Sequence, residues 1–425
     1  MTHQVLIIIG LSFFLSLSLV FIIGSPIFIE ISTSSLSDMI LGQSFPPLAN
    51  TVFQFFMVFC MKHLNISHLR FAEDWALREP VQGQYIWTPM KNRLDFMRSH
   101  GYSVFLTFQS NGPDWAIDKH NDFSATFKNV TQFETFLHSW FSTFLLYKDV
   151  IKKVQFGNEW VSNYWFVGSA SEFSLYANVF YNISKQYWPD IPVVLGGFST
   201  GSLRALAALY NVSSKYQTDE GIVYEGASLD SLRSSVEAKD AIYRTETVVS
   251  NTSYDYIDLH LYDDCDNFGL YWQMMINLTI RLGKGTFPFV CTEFGGPNMN
   301  WEPFINRISG NYHAKHLQRC LQSLGKLNLS EIYYFQIVTS ASSSVEHRQS
   351  QLFNDLLMMK PSFYVLQNAK NGKITYVYEY IILYSVIITS LISVLIITII
   401  KCFKKDEKIE PTPNDELRDL SVLSN

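Results

Sequence analysis

The chain lacks a basic surplus. Its 32 lysines and arginines face 38 aspartates and glutamates, for a formal net charge of -6 and a pI near 5.9. No basic stripe runs through its centre, which argues against nucleic acid or another polyanion as a partner. Charge of either sign is thin, at 16% of residues against 48% hydrophobic. That leaves ample material for a large core and excludes disorder for most of the chain. Cysteine is scarce as well, and the five present are spaced like no zinc site. Cys60, Cys265, Cys291 and Cys320 can form up to two disulfides, in three pairings that the sequence does not rank. No linker-like, low-complexity or repeated segment divides the middle of the chain, so it reads as one domain.

Aromatic residues are plentiful, with 9 Trp, 23 Tyr and 33 Phe; most belong in a core, and aromatic faces are also the usual platforms for sugar rings. Two long apolar runs mark the ends. Val5 to Ile23 is followed by Gly24-Ser25-Pro26, which reads as a signal peptide over residues 1–24; a run of that length without Lys or Arg ahead of it fits an uncleaved anchor too. Tyr380 to Ile400 carries no charge and is long enough to cross hydrocarbon, which takes roughly 20 residues. Lys401, Lys404 and Lys405 follow it, so the positive-inside bias places the tail, residues 401–425, in the cytosol. The expectation is a single-pass type I membrane protein whose large domain is extracellular or in the endolysosomal or secretory lumen. Asn65, Asn129, Asn182, Asn211, Asn251, Asn277 and Asn328 each head an Asn-x-Ser/Thr glycosylation sequon, and none lies in the tail.

Between about residues 38 and 368, short β-branched and aromatic runs alternate with amphipathic stretches, the pattern of parallel strands joined by helices. Strands are expected at Ile66 to Phe71, Tyr102 to Phe108, Val154 to Phe156, Val193 to Leu195, Tyr256 to Leu261, Phe287 to Thr292 and Glu331 to Gln336. A weaker eighth at Met39 to Gln43 would complete a (β/α)8 TIM barrel, an α/β fold. Helices are expected around Asn50 to His63 and at Met90 to His100, Gln132 to Tyr147, Ser171 to Trp188 and His313 to Leu324, several of them ended by Gly101, Gly325 or the Pro189/Pro192 pair.

Polar residues gather just after these strands: Arg70, Gln109, Asn158 with Glu159, His260 with Tyr262, and Glu293. In a TIM barrel that edge is the active-site face. Two carboxyl groups across a cleft can share glycosidic cleavage, one protonating the leaving oxygen while the other attacks the anomeric carbon or activates water. They need opposed environments: an apolar neighbour such as Trp160 favours a protonated Glu159, and donors such as Arg70 and Tyr262 favour an ionised Glu293.

At these residues the chain resembles the clan A glycoside hydrolases, above all the retaining β-glycosidases of families 5 and 39. His68-Leu-Arg-Phe-Ala-Glu-Asp-Trp75, Glu79-Pro80 and Gly83-Gln-Tyr-Ile-Trp87 are similar to their second strand and its loop, and Pro113-Asp-Trp-Ala116 to the loop after strand three. Gln155-Phe-Gly-Asn-Glu-Trp160 resembles the Gly-Asn-Glu motif, Tyr256-Ile-Asp-Leu-His-Leu-Tyr262 the His-x-Tyr strand, Val290-Cys-Thr-Glu-Phe-Gly295 the strand that ends in the nucleophile, and Lys360-Pro361-Ser-Phe-Tyr364 the closing helix.

The resemblance implies Glu159 as acid/base and Glu293 as nucleophile, with carboxyls roughly 5 Å apart and retention of configuration. It also implies Asn158 on the sugar 2-hydroxyl, Tyr262 on the nucleophile, His260 lining the sugar site, Arg70 as a donor, Trp160 as a further contact, and no cofactor or metal. The partner would be a carbohydrate. One departure stands out: Ile332-Tyr-Tyr-Phe-Gln-Ile337 has no Trp where these families place one near the end of strand eight, and Phe335 or Gln336 occupies that region. A second reading follows from it, a membrane-anchored, catalytically impaired carbohydrate-binding pseudoenzyme.

Overall fold

The computed structural model describes residues 39–46, 51–262, 264–298, 310–338, 350–353 and 359–369, together with 31–32, 36, 48, 373–374, 390 and 393. The signal segment expected over 1–24, the tail over 401–425 and, apart from Ser390 and Ser393, the apolar span over 380–400 lie outside the described residues. No helix among the described residues is long and apolar enough to cross a membrane.

Eight strands occupy the expected places: β1 (Ile40–Ser44), β2 (His68–Glu73), β3 (Ser103–Phe108), β4 (Ile151–Phe156), β5 (Val193–Phe198), β6 (Tyr256–Leu261), β7 (Phe289–Phe294) and β8 (Leu329–Tyr334). Each pairs in parallel with the next, and β8 pairs with β1, so the sheet closes into a (β/α)8 barrel. The principal helices between them are α1 (Thr51–Leu64), α2 (Thr88–Ser99), α3 (Val130–Thr143), α4 (Ala170–Tyr187), α5 (Thr200–Leu209), α6 (Val236–Asn251), α7 (Phe268–Arg281), α8 (Gly310–Leu324) and α9 (Pro361–Ala369). Side-chain caps begin several of them. Asn129 caps α3 by accepting from Thr131 N, and Ser169 and Glu172 form a reciprocal capping box on α4.

Most boundaries differ from the expectation by a few residues, β2 and β7 each lying two residues later than Ile66 to Phe71 and Phe287 to Thr292, and two of the differences have a visible cause. The helix expected over Gln132 to Tyr147 ends at Thr143, where a separate 3-10 turn, Leu145–Tyr147, takes over. The last strand starts and stops two residues earlier than Glu331 to Gln336, because its pairing with β1 ends at Tyr334 opposite Gln43. Phe335 and Gln336 are thereby released from the sheet toward the barrel mouth.

Phe105, Val194, Val290 and Tyr333 fill the barrel centre as one buried cluster. Three of them come from alternate strands, as barrel layers require. The fourth odd strand contributes Gly42, where an added Cβ would collide with the Tyr333 ring; the glycine lets Tyr333 reach in from β8. Outside the barrel, Phe133, Phe136, Trp140 and Phe141 of α3 pack with Trp75, Phe108 and Phe156. Most of the aromatic surplus is therefore core. Cys265 and Cys320 form a disulfide that ties the segment after β6 to α8, which selects one of the possible pairings, while Cys60 and Cys291 are buried free thiols.

Candidate active site

At the C-terminal ends of the strands the barrel interior turns from apolar to polar, and Arg70 of β2 is its hub. Only 1% exposed, its guanidinium uses all five N–H groups. Nη1 donates to Glu293 Oε1 at 2.6 Å and Ser44 Oγ at 3.1 Å, Nη2 to Gln155 Oε1 at 3.0 Å and Asn158 Oδ1 at 3.1 Å, and Nε to Thr107 Oγ1 at 3.0 Å. One side chain thus joins β1, β3, β4 and β7. A charge so enclosed is tolerated because every donor is satisfied and a carboxylate lies against it.

Glu293 is aimed by an irregularity in β7. Asp258 pairs with Val290 and His260 with Glu293, so β7 holds one more residue than β6 over this stretch, a bulge that redirects side chains. Thr292 and Glu293 both turn inward as a result. Thr292 donates its N–H to Asp258 Oδ1 (2.8 Å) and its hydroxyl to Asp258 Oδ2 (2.5 Å), while Glu293 Oε2 accepts from Tyr262 Oη at 2.7 Å.

Glu159 follows β4 through a sharp turn in which Gly157 (φ 76°) and Glu159 itself (φ 47°) take left-handed backbone. That conformation is costly for a non-glycine residue and tends to occur where function demands it. His260 links the carboxyls. Its Nδ1 lies 2.6 Å from Glu159 Oε1 and 3.6 Å from Glu293 Oε2, and its Nε2 lies 3.2 Å from Asp258 Oδ2. Gly197 of β5 makes this possible, since a Cβ there would run into the His260 ring and approach Asp258 Oδ2 to 2.8 Å. Oxygens of Glu159 and Glu293 lie within 4.8 Å of one another.

Protonation follows from these contacts. Burial pushes Glu159 above the usual carboxylate range, and the nearby Glu293 charge adds to this, outweighing the hydrogen bond from His260. Burial acts on Glu293 in the same direction but loses to His260, Arg70 and Tyr262, which hold it below that range. Burial opposes a charged His260, yet Glu293 and Asp258 raise it to about 10, so it is an imidazolium at neutral pH. Asp258 stays ionised despite its burial, through His260 and Arg70. Glu159, His260 and Glu293 bring three donor atoms together as a metal site would, but Arg70 already neutralises Glu293 and an imidazolium offers no lone pair. The cluster is built to share protons.

A cavity of about 430 Å³ opens onto this cluster and is lined by Asn158, Glu159, Tyr262 and Glu293 together with Asp74, Gln109, Asn111, Phe335 and Gln336. Four of the residues expected from sequence therefore face it. Asn158 spends its oxygen on Arg70, which leaves its amide nitrogen for another partner. Three of the expected site residues are not among those lining the cavity. His260 and Arg70 are buried beneath the carboxyls and do not line the cavity; they position and charge the two glutamates.

Trp160 lies outside the cavity altogether. Its indole N–H donates to Gly196 O at 2.9 Å and its ring stacks on Phe173 at 5.1 Å. Its side chain is thus engaged in packing behind the turn that carries Glu159. The motif after β2 is structural too: Glu79 accepts from Trp75 Nε1 at 2.7 Å and Gly83 N at 2.8 Å, and Asp74 caps the short helix Trp75–Arg78.

Sequence reasoning missed Asp258, Gln155, Thr107, Ser44 and Thr292. The available signal was a polar side chain at an inward-facing strand position, legible for Asp258, which lies two residues before His260. Trp165 and Phe123, which also line the cavity, sit on loops with no such periodicity.

Comparison with known proteins follows the same lines. The model of glycoside hydrolase family 42, described as beta-galactosidase, matches residues 57–155, a stretch that ends short of Asn158 and Glu159. No curated protein sequence matches. Among solved structures, a family 39 glycoside hydrolase from the gut symbiont Bacteroides cellulosilyticus WH2 superposes with a TM-score of 0.54 at 14% identity, over 79% of this chain and 64% of its own. The present chain thus spans somewhat less than two thirds of that protein's length. A monomeric beta-xylosidase from Caulobacter crescentus CB15 gives 0.53 at 12% identity over 80% of this chain and 69% of its own. The GH53 catalytic domain of Ignisphaera aggregans gives 0.52 at 13% identity, over 80% of this chain and 99% of its own. In fold, and over residues 57–155 in sequence, the chain resembles the clan A barrel glycoside hydrolases.

Proposed function

We propose that the chain is a retaining glycoside hydrolase acting on a β-linked carbohydrate, with Glu293 as nucleophile and Glu159 as acid/base. The observation that carries this reading is the pair of buried glutamates with oxygens within 4.8 Å and opposite protonation. Retaining enzymes hold their carboxyls about 5–5.5 Å apart, whereas inverting ones need a wider gap for water. The β linkage is favoured by the names of similar proteins, a beta-galactosidase family and a beta-xylosidase.

In the first step an oxygen of Glu293 bonds to the anomeric carbon while the bond to the leaving oxygen breaks, and that oxygen takes the proton of Glu159. Water then attacks the same carbon, gives its proton to Glu159 and releases Glu293. Charge is conserved within the site. At rest Arg70 and His260 balance Glu293 and Asp258, with Glu159 neutral; in the glycosyl-enzyme Glu293 is an ester and Glu159 carries the negative charge. The buried cluster is neutral at both stages, and no unpaired charge is left in a medium that penalises it. Loss of the Glu293 charge removes one influence that raises Glu159, so the acid of the first step becomes a base for the second.

Incubating the full chain in detergent with a panel of 2-deoxy-2-fluoro-β-glycosyl fluorides should leave one of these sugars esterified to Glu293, as read by peptide mass mapping. A label on another residue would overturn the assignment. No label from any sugar in the panel would favour the binding pseudoenzyme, the reading that the missing strand-eight Trp supports.

We further infer that the barrel lies on the non-cytosolic side of a membrane, anchored by residues 380–400. All seven sequon asparagines are exposed, and the Cys265–Cys320 disulfide fits an oxidising compartment. N-glycanase digestion of the protein from a eukaryotic host should lower its apparent mass; an unchanged mass would count against this location.

A further inference from the structure

Two loops meet beside the acid/base and place three aromatic rings against one another. Phe123 lies in the turn between the short strands Ile117–His120 and Ala125–Phe127, which pair in the loop after β3. Tyr164 and Trp165 lie in the loop that leaves Glu159. The Phe123 ring is 4.7 Å from both, and Tyr164 and Trp165 are 5.4 Å apart. Phe123 and Tyr164 are exposed, at 36% and 59%, which leaves a contiguous aromatic surface at the rim of the site.

The loops are held. Asn121 donates from Nδ2 to Tyr164 O at 3.0 Å while its Oδ1 accepts the N–H groups of Phe123 and Ser124, fixing both loops through one side chain. Beneath the second loop, buried Arg244 of α6 donates to four backbone carbonyls, those of Trp160, Val161, Phe166 and Gly168, at 2.8 to 3.2 Å. The segment that leaves Glu159 is therefore pinned along its length, with the Tyr164 and Trp165 rings standing on it.

Phe123 and Trp165 line the cavity that contains Glu159 and Glu293, and Asp122 lines it beside them. Glu159 has to reach the leaving oxygen, so the group bonded to that oxygen lies on the Glu159 side. We propose that Trp165 and Phe123, edged by Asp122, form the subsite for the leaving group and that its occupant is a second sugar ring. This proposal rests on the glycosidase reading above. A pyranose presents C–H bonds on its face and hydroxyls on its edge. The Trp165 and Phe123 rings can pack against the C–H bonds, and Asp122, exposed at the cavity's edge, can accept from hydroxyls that an alkyl chain lacks.

The test compares substrates with and without that ring. Glycosyl fluorides carry no leaving sugar, so the rate at which a 2-deoxy-2-fluoro-glycosyl fluoride labels Glu293 reports the remainder of the site. In full-length Trp165→Ala and Phe123→Ala, kcat/KM for the corresponding β-disaccharide should fall by about tenfold or more, the size of a lost stacking contact. The labelling rate should stay within about twofold of the parent, kcat/KM for the octyl glycoside should hold, and Trp165→Tyr should recover most of the disaccharide rate. Parallel loss of labelling and disaccharide cleavage would overturn the proposal by putting the rings on the other side of the scissile bond. Unchanged disaccharide cleavage, or a loss confined to the octyl glycoside, would overturn it as well. Failure of the parent itself to be labelled is a separate result that removes the glycosidase reading first.

Discussion

Charged side chains are buried at both ends of this barrel, and the two ends are constructed differently. At the floor Lys153 of β4 pairs with Glu331 of β8, Tyr333 donates to the free oxygen of Glu331 at 2.7 Å, and the ammonium lies 4.9 Å from the centre of the Tyr256 ring. One cation meets one anion. At the mouth, across the apolar plug of Phe105, Val194, Val290 and Tyr333, two cations face three carboxyls. The surplus carboxyl cannot ionise without leaving a net buried charge, so one of the three keeps its proton at a pH where an ordinary carboxylate has lost it. A matched pair is a structural device, whereas an unmatched third group is a stored proton next to a cavity.

That contrast is broken most severely at Glu293. The Glu293→Gln variant retains shape but removes the nucleophile and the charge that supports His260. Turnover of an aryl glycoside should fall by roughly 10⁴-fold or more, an effect the size of losing a principal catalytic group. The thermal midpoint should move little, because the Gln oxygen still accepts from Arg70, its NH2 can donate to the Tyr262 oxygen, and Glu159 can ionise in place of the lost charge. Near-parental turnover would remove Glu293 from the chemistry.

The surplus proton is examined by Glu159→Gln. Loss of a general acid costs about 10²- to 10⁴-fold, so cleavage of a disaccharide, whose leaving group needs protonation, should fall by that factor. A dinitrophenyl glycoside should lose far less in its first step. The pH profile gives the sign. Activity requires Glu293 ionised and Glu159 protonated, so the parental kcat/KM should rise as pH climbs through the lowered value of Glu293 and fall as pH passes the raised value of Glu159. In Glu159→Gln the alkaline fall should vanish while the acid rise stays. An alkaline limb that persists would assign that ionisation to another group.

Much of this arrangement was legible in the sequence, and the limits have physical causes. Strand positions came from runs such as Val104 to Phe108, buried throughout and therefore apolar but for Thr107. Glu159 and Glu293 stood out because each follows such a run. The bulge in β7 was not legible: one extra residue changes which side chains face inward without altering composition. For Trp160, adjacency to Glu159 was a poor guide, since the left-handed turn at Glu159 sends the next side chain into the helical layer while Trp165 reaches the cavity. Arg70 and His260 were found, but their depth was not, because a chemically active residue type says nothing about whether it touches substrate or stands behind the groups that do.

The smallest effect on activity is expected at the floor. Lys153→Met leaves Glu331 buried without its cation, which should lower stability by about 3–5 kcal/mol, read as a reduced denaturant midpoint. The double variant Lys153→Met/Glu331→Leu removes the stranded charge and should regain most of the loss, since apolar replacement of a buried ion pair is often neutral or stabilising. In both, kcat of the folded fraction should match the parent, because the apolar plug separates Lys153 from Arg70 and His260, and the floor contributes no group to the proton exchange. A shifted pH profile in the double variant would show that the floor charges influence Glu159 or Glu293 through the plug. The two ends would then act as one electrostatic unit, and the matched pair would help set the proton that the mouth stores.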